Sequence, residues 1–148
     1  MRLAALGALL LAVYAATLTI PATAGDDYAG DEVHHLLAAR SWVDDGDFDL
    51  ANQFSGEEWR EFSSREVQPS GTLVLGRLRE PQGVGMPLAI SPAYALGGPR
   101  LGELAIAALT ALAFVLAAAL ARRVVPEPWA SAASAAIASS ASLVPPSA

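Results

Sequence analysis

The chain has no cysteine and no lysine, and its only adjacent basic pair is Arg122-Arg123. The lack of cysteine excludes disulfides and thiolate metal sites, and leaves the redox compartment unmarked. Without a cationic face, and with a formal charge of -6, the chain has nothing to neutralise a phosphate backbone, so nucleic acid is excluded as a partner. Charge of either sign is scarce: 16% of residues are charged against 53% apolar, and the mean hydropathy of +0.40 is high for a soluble domain. These proportions point to a membrane protein, with room in 148 residues for one domain.

Two uncharged runs carry the hydropathy. Residues 3–24 precede the first acidic cluster, and residues 104–121 end at Arg122-Arg123; each is long enough to cross a hydrocarbon core of roughly 30 Å. Arg2 stands before the first run and the arginine pair after the second, so the positive-inside rule places both ends of this hairpin in the cytoplasm. Residues 21–100 hold 13 of the 15 acidic residues and six arginines, and fall on the other side. A cleavable signal peptide is the alternative for the first run, because Ala22-Thr23-Ala24 fits a small-residue cleavage site. The apolar stretch is longer than an ordinary signal core of about 7 to 15 residues, which favours an uncleaved anchor.

The expected architecture is an all-α membrane protein. It has a transmembrane helix or signal peptide over residues 1–24 and an extracytoplasmic loop with juxtamembrane helices over 25–100. A second transmembrane helix over 101–121 and a cytoplasmic turn over 122–128 follow. Residues 129–148 offer the start of a third span or an Ala/Ser-rich tail, with Trp129 suited to an interface and Pro145-Pro146 as a helix breaker. The expected location is the plasma membrane, multi-pass, in a chain that reads as the N-terminal part of a longer protein.

Within the loop, Gly30 or Asp31 can cap a helix running to Asp44, with Glu32 in the favourable first turn and Gly46 as its stop. Val33, Leu36, Leu37 and Val43 give it an apolar stripe, and Trp42 can anchor at headgroups, so the helix is expected to lie along the membrane surface. The i, i+3 and i, i+4 spacings let either His34 or His35 approach the Asp31 carboxylate. Asp45, Asp47 and Asp49 alternate as in a calcium loop, but Leu50 and Gly56 stand where an EF-hand needs glycine and glutamate. A divalent metal is therefore not supported by the spacing, and a solvated turn is expected instead. Residues 51–71 read as an irregular or short helical connection. Thr72 to Arg79 read as a strand with Leu73, Leu75, Arg77 and Arg79 on one side; its arginines could grip a phosphate or pair with Glu66 or Glu80. Residues 83–98 are apolar but too short to span, and Gly97-Gly98-Pro99 ends a helix begun at Pro87.

An apolar helix followed by Asp31-Glu32-Val33-His34 resembles the GT-C class of membrane glycosyltransferases, and the Asp-Glu motif of protein O-mannosyltransferases in particular. Trp42-Val43-Asp44-Asp45-Gly46-Asp47-Phe48-Asp49-Leu50-Ala51-Asn52 and the stretch from Gly85-Met86-Pro87-Leu88 to Leu96-Gly97-Gly98 are similar to segments of bacterial relatives of that class. The resemblance covers roughly residues 3 to 123. It implies transfer of a sugar from a polyprenyl-phosphate carrier, the donor, to a protein, lipid or glycan acceptor at the outer membrane face. Asp31 would be the base, Glu32 would orient the acceptor, and His34, His35, Arg77 and Arg79 would bind substrate. Arg79-Glu80-Pro81-Gln82 departs from the Lys-Pro-Pro motif of some relatives, and Arg79 takes the place of the phosphate-binding cation. The class ordinarily has many more spans. A different reading is a small membrane-anchored adaptor or structural protein whose acidic loop binds a partner.

Overall fold

A computed structural model describes residues 3–22, 26–28, 30–125 and 128–141. Its elements are α1 (Leu3–Thr17), α2 (Asp31–Asp44), α3 (Ala51–Ser55), a 3-10 turn at Glu58–Glu61, β1 (Thr72–Val74), β2 (Arg77–Arg79), α4 (Gly85–Ala121) and α5 (Trp129–Ala141). The chain is mostly helical, but the expected all-α class needs one correction, since β1 and β2 form a two-stranded antiparallel hairpin. Two compact units are distinct: Met1–Thr19 with Leu104–Ala148, and Ile20–Glu103. Arg2, the Thr23-Ala24 part of the cleavage pattern and the Pro145-Pro146 end of the tail lie outside the described residues.

In the first unit, α1 has 15 residues, about 22 Å of helix, and stops well before the expected boundary at residue 24. The reason is local. Thr17 Oγ1 donates to the Tyr14 carbonyl at 2.7 Å and Thr19 Oγ1 to the Ala16 carbonyl at 3.0 Å, drawing those acceptors away from the helical ladder, and Pro21 cannot continue it. Leu6 and Leu10 of α1 pack with Ala111 and Ala118 of α4, flanked by Tyr14, Phe114 and Val115. Gly7 permits that approach, because a Cβ there would stand 3.2 Å from Val115 Cγ2. Large leucines at 109, 112, 116 and 120 are at least half exposed. Among the described residues one helix, Gly85–Ala121, is long and apolar enough to cross a membrane, whereas α1 is shorter.

α4 contains the expected break. Gly97 and Gly98 leave helical geometry, and Gly98 has φ +66, a left-handed value that only glycine adopts without strain. Pro99 then restarts the helix, its fixed φ suiting a first-turn position. The 37-residue element is therefore two helices on one axis of sequence, with the join where the Gly-Gly-Pro signal lies.

In the second unit, α2 starts and stops as its sequence dictates. Gly30 at φ 53 precedes it, Asp31 and Glu32 occupy its first turn, and the Asp45 and Gly46 amides close its end on the Ser41 and Trp42 carbonyls. Its buried face is wider than the expected apolar stripe. Val33, His34, Leu36, Leu37, Ala38, Ala39 and Ser41 are all buried, half the helix, so α2 is a core element of its own unit. The cover comes partly from residues 51–62, which the sequence left uninformative: Gln53, Trp59 and Phe62 are buried there. Trp42 stacks on Phe48 with ring centres 4.9 Å apart rather than standing alone as an anchor.

Candidate functional site

The hairpin decides what surrounds α2. Leu75 at φ 54 and Gly76 at φ +79 make a two-residue turn of the kind that matches strand twist, so the stretch expected as one strand folds back on itself. Register pairs Thr72 with Arg79, Leu73 with Leu78 and Val74 with Arg77. Paired residues share a face; Arg77 and Arg79 therefore stand with Thr72 and Val74, not with Leu73 as a single strand would require. The hairpin is tied down through Asp49-Leu50. Leu50 N donates to the Leu78 carbonyl at 3.0 Å, and Leu78 N donates to Asp49 Oδ1 at 2.9 Å.

That attachment delivers the exit of β2 to the first turns of α2. Gln82 Nε2 donates to Asp31 Oδ1 at 3.1 Å. One turn along the helix, His34 Nδ1 lies 3.0 Å from Glu80 Oε1, and both side chains are at least nine-tenths buried. The contact is ionic in distance but out of hydrogen-bond alignment, while Glu80 Oε2 accepts from Ser70 Oγ at 2.6 Å. Residues 80–82 thus form a strap across Asp31 and His34. Asp31 itself is exposed.

The remaining expected site residues divide. Neither imidazole pairs with Asp31 among the described residues: His34 goes to Glu80, with Phe54 at 6.0 Å between ring centres. The half-buried His35 ring makes no hydrogen bond or ion pair there. Glu32 is exposed in the same turn as Asp31. Arg77 and Arg79 do not pair with Glu66 or Glu80. Arg77 reaches Asp47 at 3.5 Å, and the exposed Arg79 makes no ion pair among the described residues. Arg79 is one residue from the strap, so the structure gathers Asp31, His34 and the segment following Arg79 in one place. The strap partners Glu80 and Gln82 lie about fifty positions from α2 in sequence, beyond the reach of any helical spacing rule.

The alternating aspartates act as local acceptors. Asp47 Oδ1 accepts from Asp49 N at 2.9 Å, Asp49 Oδ1 also accepts from Ala51 N at 3.2 Å, and Asp45 Oδ2 accepts from Asn52 and Gln53 at 2.9 and 2.6 Å. Those two amide donors hold the Asp45 carboxyl below the ordinary carboxylate value. Asp26 is lowered likewise, first by the Ser64 backbone amide at 2.6 Å. Each of these carboxylates thereby satisfies nearby amide donors of its own unit.

A second polar cluster ties residues 26–28 to α4. Arg100 Nη2 reaches Asp27 at 2.7 Å and Nη1 reaches Glu103 at 3.3 Å, with the guanidinium 6.0 Å above the Tyr28 ring. Burial, then the bond Tyr28 donates to Glu103, raises the phenol far above its usual value. By contrast, an open groove of about 330 Å³ in the first unit, bordered by Gly7, Leu11, Ala108 and Leu112 among others, is lined only by apolar residues and offers no acid or base.

Comparison with protein-family models, with curated proteins and with solved structures yields no match.

Proposed function

We propose that this chain is part of an integral membrane glycosyltransferase that moves a sugar from a polyprenyl-phosphate carrier to an acceptor on the extracytoplasmic face. One observation carries the reading: Asp31 offers an exposed carboxylate at the start of a helix half of whose residues are buried, with one oxygen already held by Gln82. A base needs that combination of access and fixed orientation. The Asp31 carboxylate takes the proton from an acceptor hydroxyl as its oxygen bonds to the anomeric carbon. The bond from that carbon to the carrier phosphate breaks, and the phosphate leaves with the electron pair. Arg79, without an ion-pair partner among the described residues, is proposed as the cation that balances the leaving charge. The apolar length of α4 supports anchorage in a bilayer.

The decisive measurement uses the protein in membrane vesicles supplied with a polyprenyl-phosphate sugar. Asp31→Asn keeps the shape and the Gln82 contact but removes the base, so transfer should fall by at least about a hundredfold while membrane insertion is unchanged. Transfer at the wild-type rate in this variant removes Asp31 from the mechanism.

The acidic residues of the second unit favour a second reading. Asp26, Asp45, Asp47 and Asp49 all hold neighbouring donors, which is what a folded adaptor module also requires. An adaptor tolerates Asp31→Asn without loss of partner binding.

A further inference from the structure

The tip of the hairpin is built against ordinary folding preferences. Leu75 sits at φ 54, a region where a bulky side chain crowds its own backbone and where asparagine or glycine is favoured. It is also 98% exposed, and Leu73 and Val74 beside it are 74% and 47% exposed. A strained residue that contributes no packing to its own fold is a sign of use elsewhere. Behind this apex comes charge. Arg77 pairs across the hairpin with Val74 and Arg79 with Thr72, so Arg79 stands about 7 Å behind the level of Val74 along the strand. Arg77 is shared with Asp47, and Arg79 makes no ion pair among the described residues.

We infer that the Leu73-Val74-Leu75 apex of the hairpin is a membrane-insertion finger, which enters the headgroup and upper acyl region of a bilayer and leaves the arginines behind it at the depth of the phosphates. The shape argues for lipid over protein. Two three-residue strands joined by a two-residue turn make a narrow convex projection, suited to a fluid interface that closes around it, whereas a protein partner would have to supply a matching pocket. The order of chemistry along the finger, apolar apex first and guanidinium behind, matches the order of acyl chain and phosphate met on entering a membrane. Strain at Leu75 keeps its side chain at the apex. The inference rests on the membrane reading of α4, and its test separates the two.

Because the chain lacks cysteine, single cysteines can be placed at will and spin-labelled in the full-length chain reconstituted into phosphatidylcholine/phosphatidylglycerol vesicles. Leu75→Cys and Val74→Cys report the apex, Ser55→Cys an exposed position of the same unit, and Leu109→Cys the exposed face of α4. Collision with oxygen against a water-soluble nickel chelate gives depth. Labels at 75 and 74 are expected about 5 Å or more below the phosphates, with 55 in water and 109 deeper than the apex. Labels at 75 and 74 that meet the chelate as freely as 55, while 109 is inserted, overturn the finger alone. Labels shielded from both reagents show a protein partner and also overturn it. If 109 is aqueous too, the membrane reading fails and the finger fails with it.

Discussion

The two units of this chain bury their apolar residues to different degrees. Ile20–Glu103 encloses Val33, Leu37, Leu50, Phe62 and Ile90 and adds polar contacts reaching across long stretches of sequence: Asp26 to Ser64, Arg40 to Glu58 at 3.0 Å, Asp49 to Leu78, Asp31 to Gln82. The other unit has a core of two leucines and two alanines, with larger leucines facing outward. In water the first arrangement is ordinary, whereas the second leaves Leu109, Leu112, Leu116 and Leu120 at least half exposed. The contrast is the one that the membrane reading of α4 proposes, with one unit folded for water and the other for a bilayer. It also yields tests, because the same kind of substitution should have opposite consequences in the two units.

The largest difference is expected from a charge placed on the outward face of α4. Leu112 is 52% exposed, and a surface substitution in water changes stability by only about 0.5 kcal/mol. In a bilayer, Leu112→Arg near the centre of the span should disfavour insertion by about 3 kcal/mol. A membrane-insertion assay with a reporter glycan reads this directly. Unchanged insertion would show that the leucines face water, and the contrast between the units would collapse.

Next is the Asp49 clamp. Asp49→Ala leaves the Leu78 amide without its carboxylate and should weaken the hairpin attachment by about 2 kcal/mol, visible as faster hydrogen exchange at Leu78 in the full chain. The Leu112 variant should leave that amide unaffected. Coupled changes would mean that the units do not hold their structure independently.

This clamp also marks the boundary of what could be read from the residues. The α2 limits were legible because Gly30, Asp31 and Gly46 act within one helical turn of the ends they define. The break at Gly97-Gly98 was legible for the same reason. The hairpin was not, because its turn carries leucine where asparagine or glycine is the usual signal, and a run of alternating residues then looks continuous. The end of α1 depended on two threonine hydroxyls turning inward on their own helix, which composition does not disclose. Within the site, Asp31 stood out by position, whereas Glu80 and Gln82 are brought there only by a long-range attachment through Asp49.

A smaller effect is expected at Asp26, which holds the Ser64 backbone amide where Asp49 holds two such amides. The Ser64 bond lowers the folded pKa of Asp26 below its ordinary 3.8. The sign follows: its contribution is fully present above that ordinary value and is lost as pH falls through the lower folded one. Asp26→Asn should therefore reduce stability at neutral pH and flatten the loss of stability below pH 3.8, as read by thermal unfolding across that range. The unit containing α1 and α5 should show no matching acid transition.

The smallest effect runs in the stabilising direction. Leu75→Asn gives the hairpin an Asn-Gly turn at the same backbone angles and should stabilise it by about 1 kcal/mol, through relief of the left-handed strain. Slower hydrogen exchange across the β1 and β2 pairs is the readout. Because Leu75 packs against nothing in its own unit at 98% exposure, no loss of buried surface offsets the gain. If the finger acts in a bilayer, the same change should weaken its insertion, so that one substitution makes the polar unit more stable in water and less attached to lipid. A Leu75→Asn variant that is destabilised would mean that the leucine serves its own fold, and the hairpin would then belong entirely to the water-folded side of the contrast.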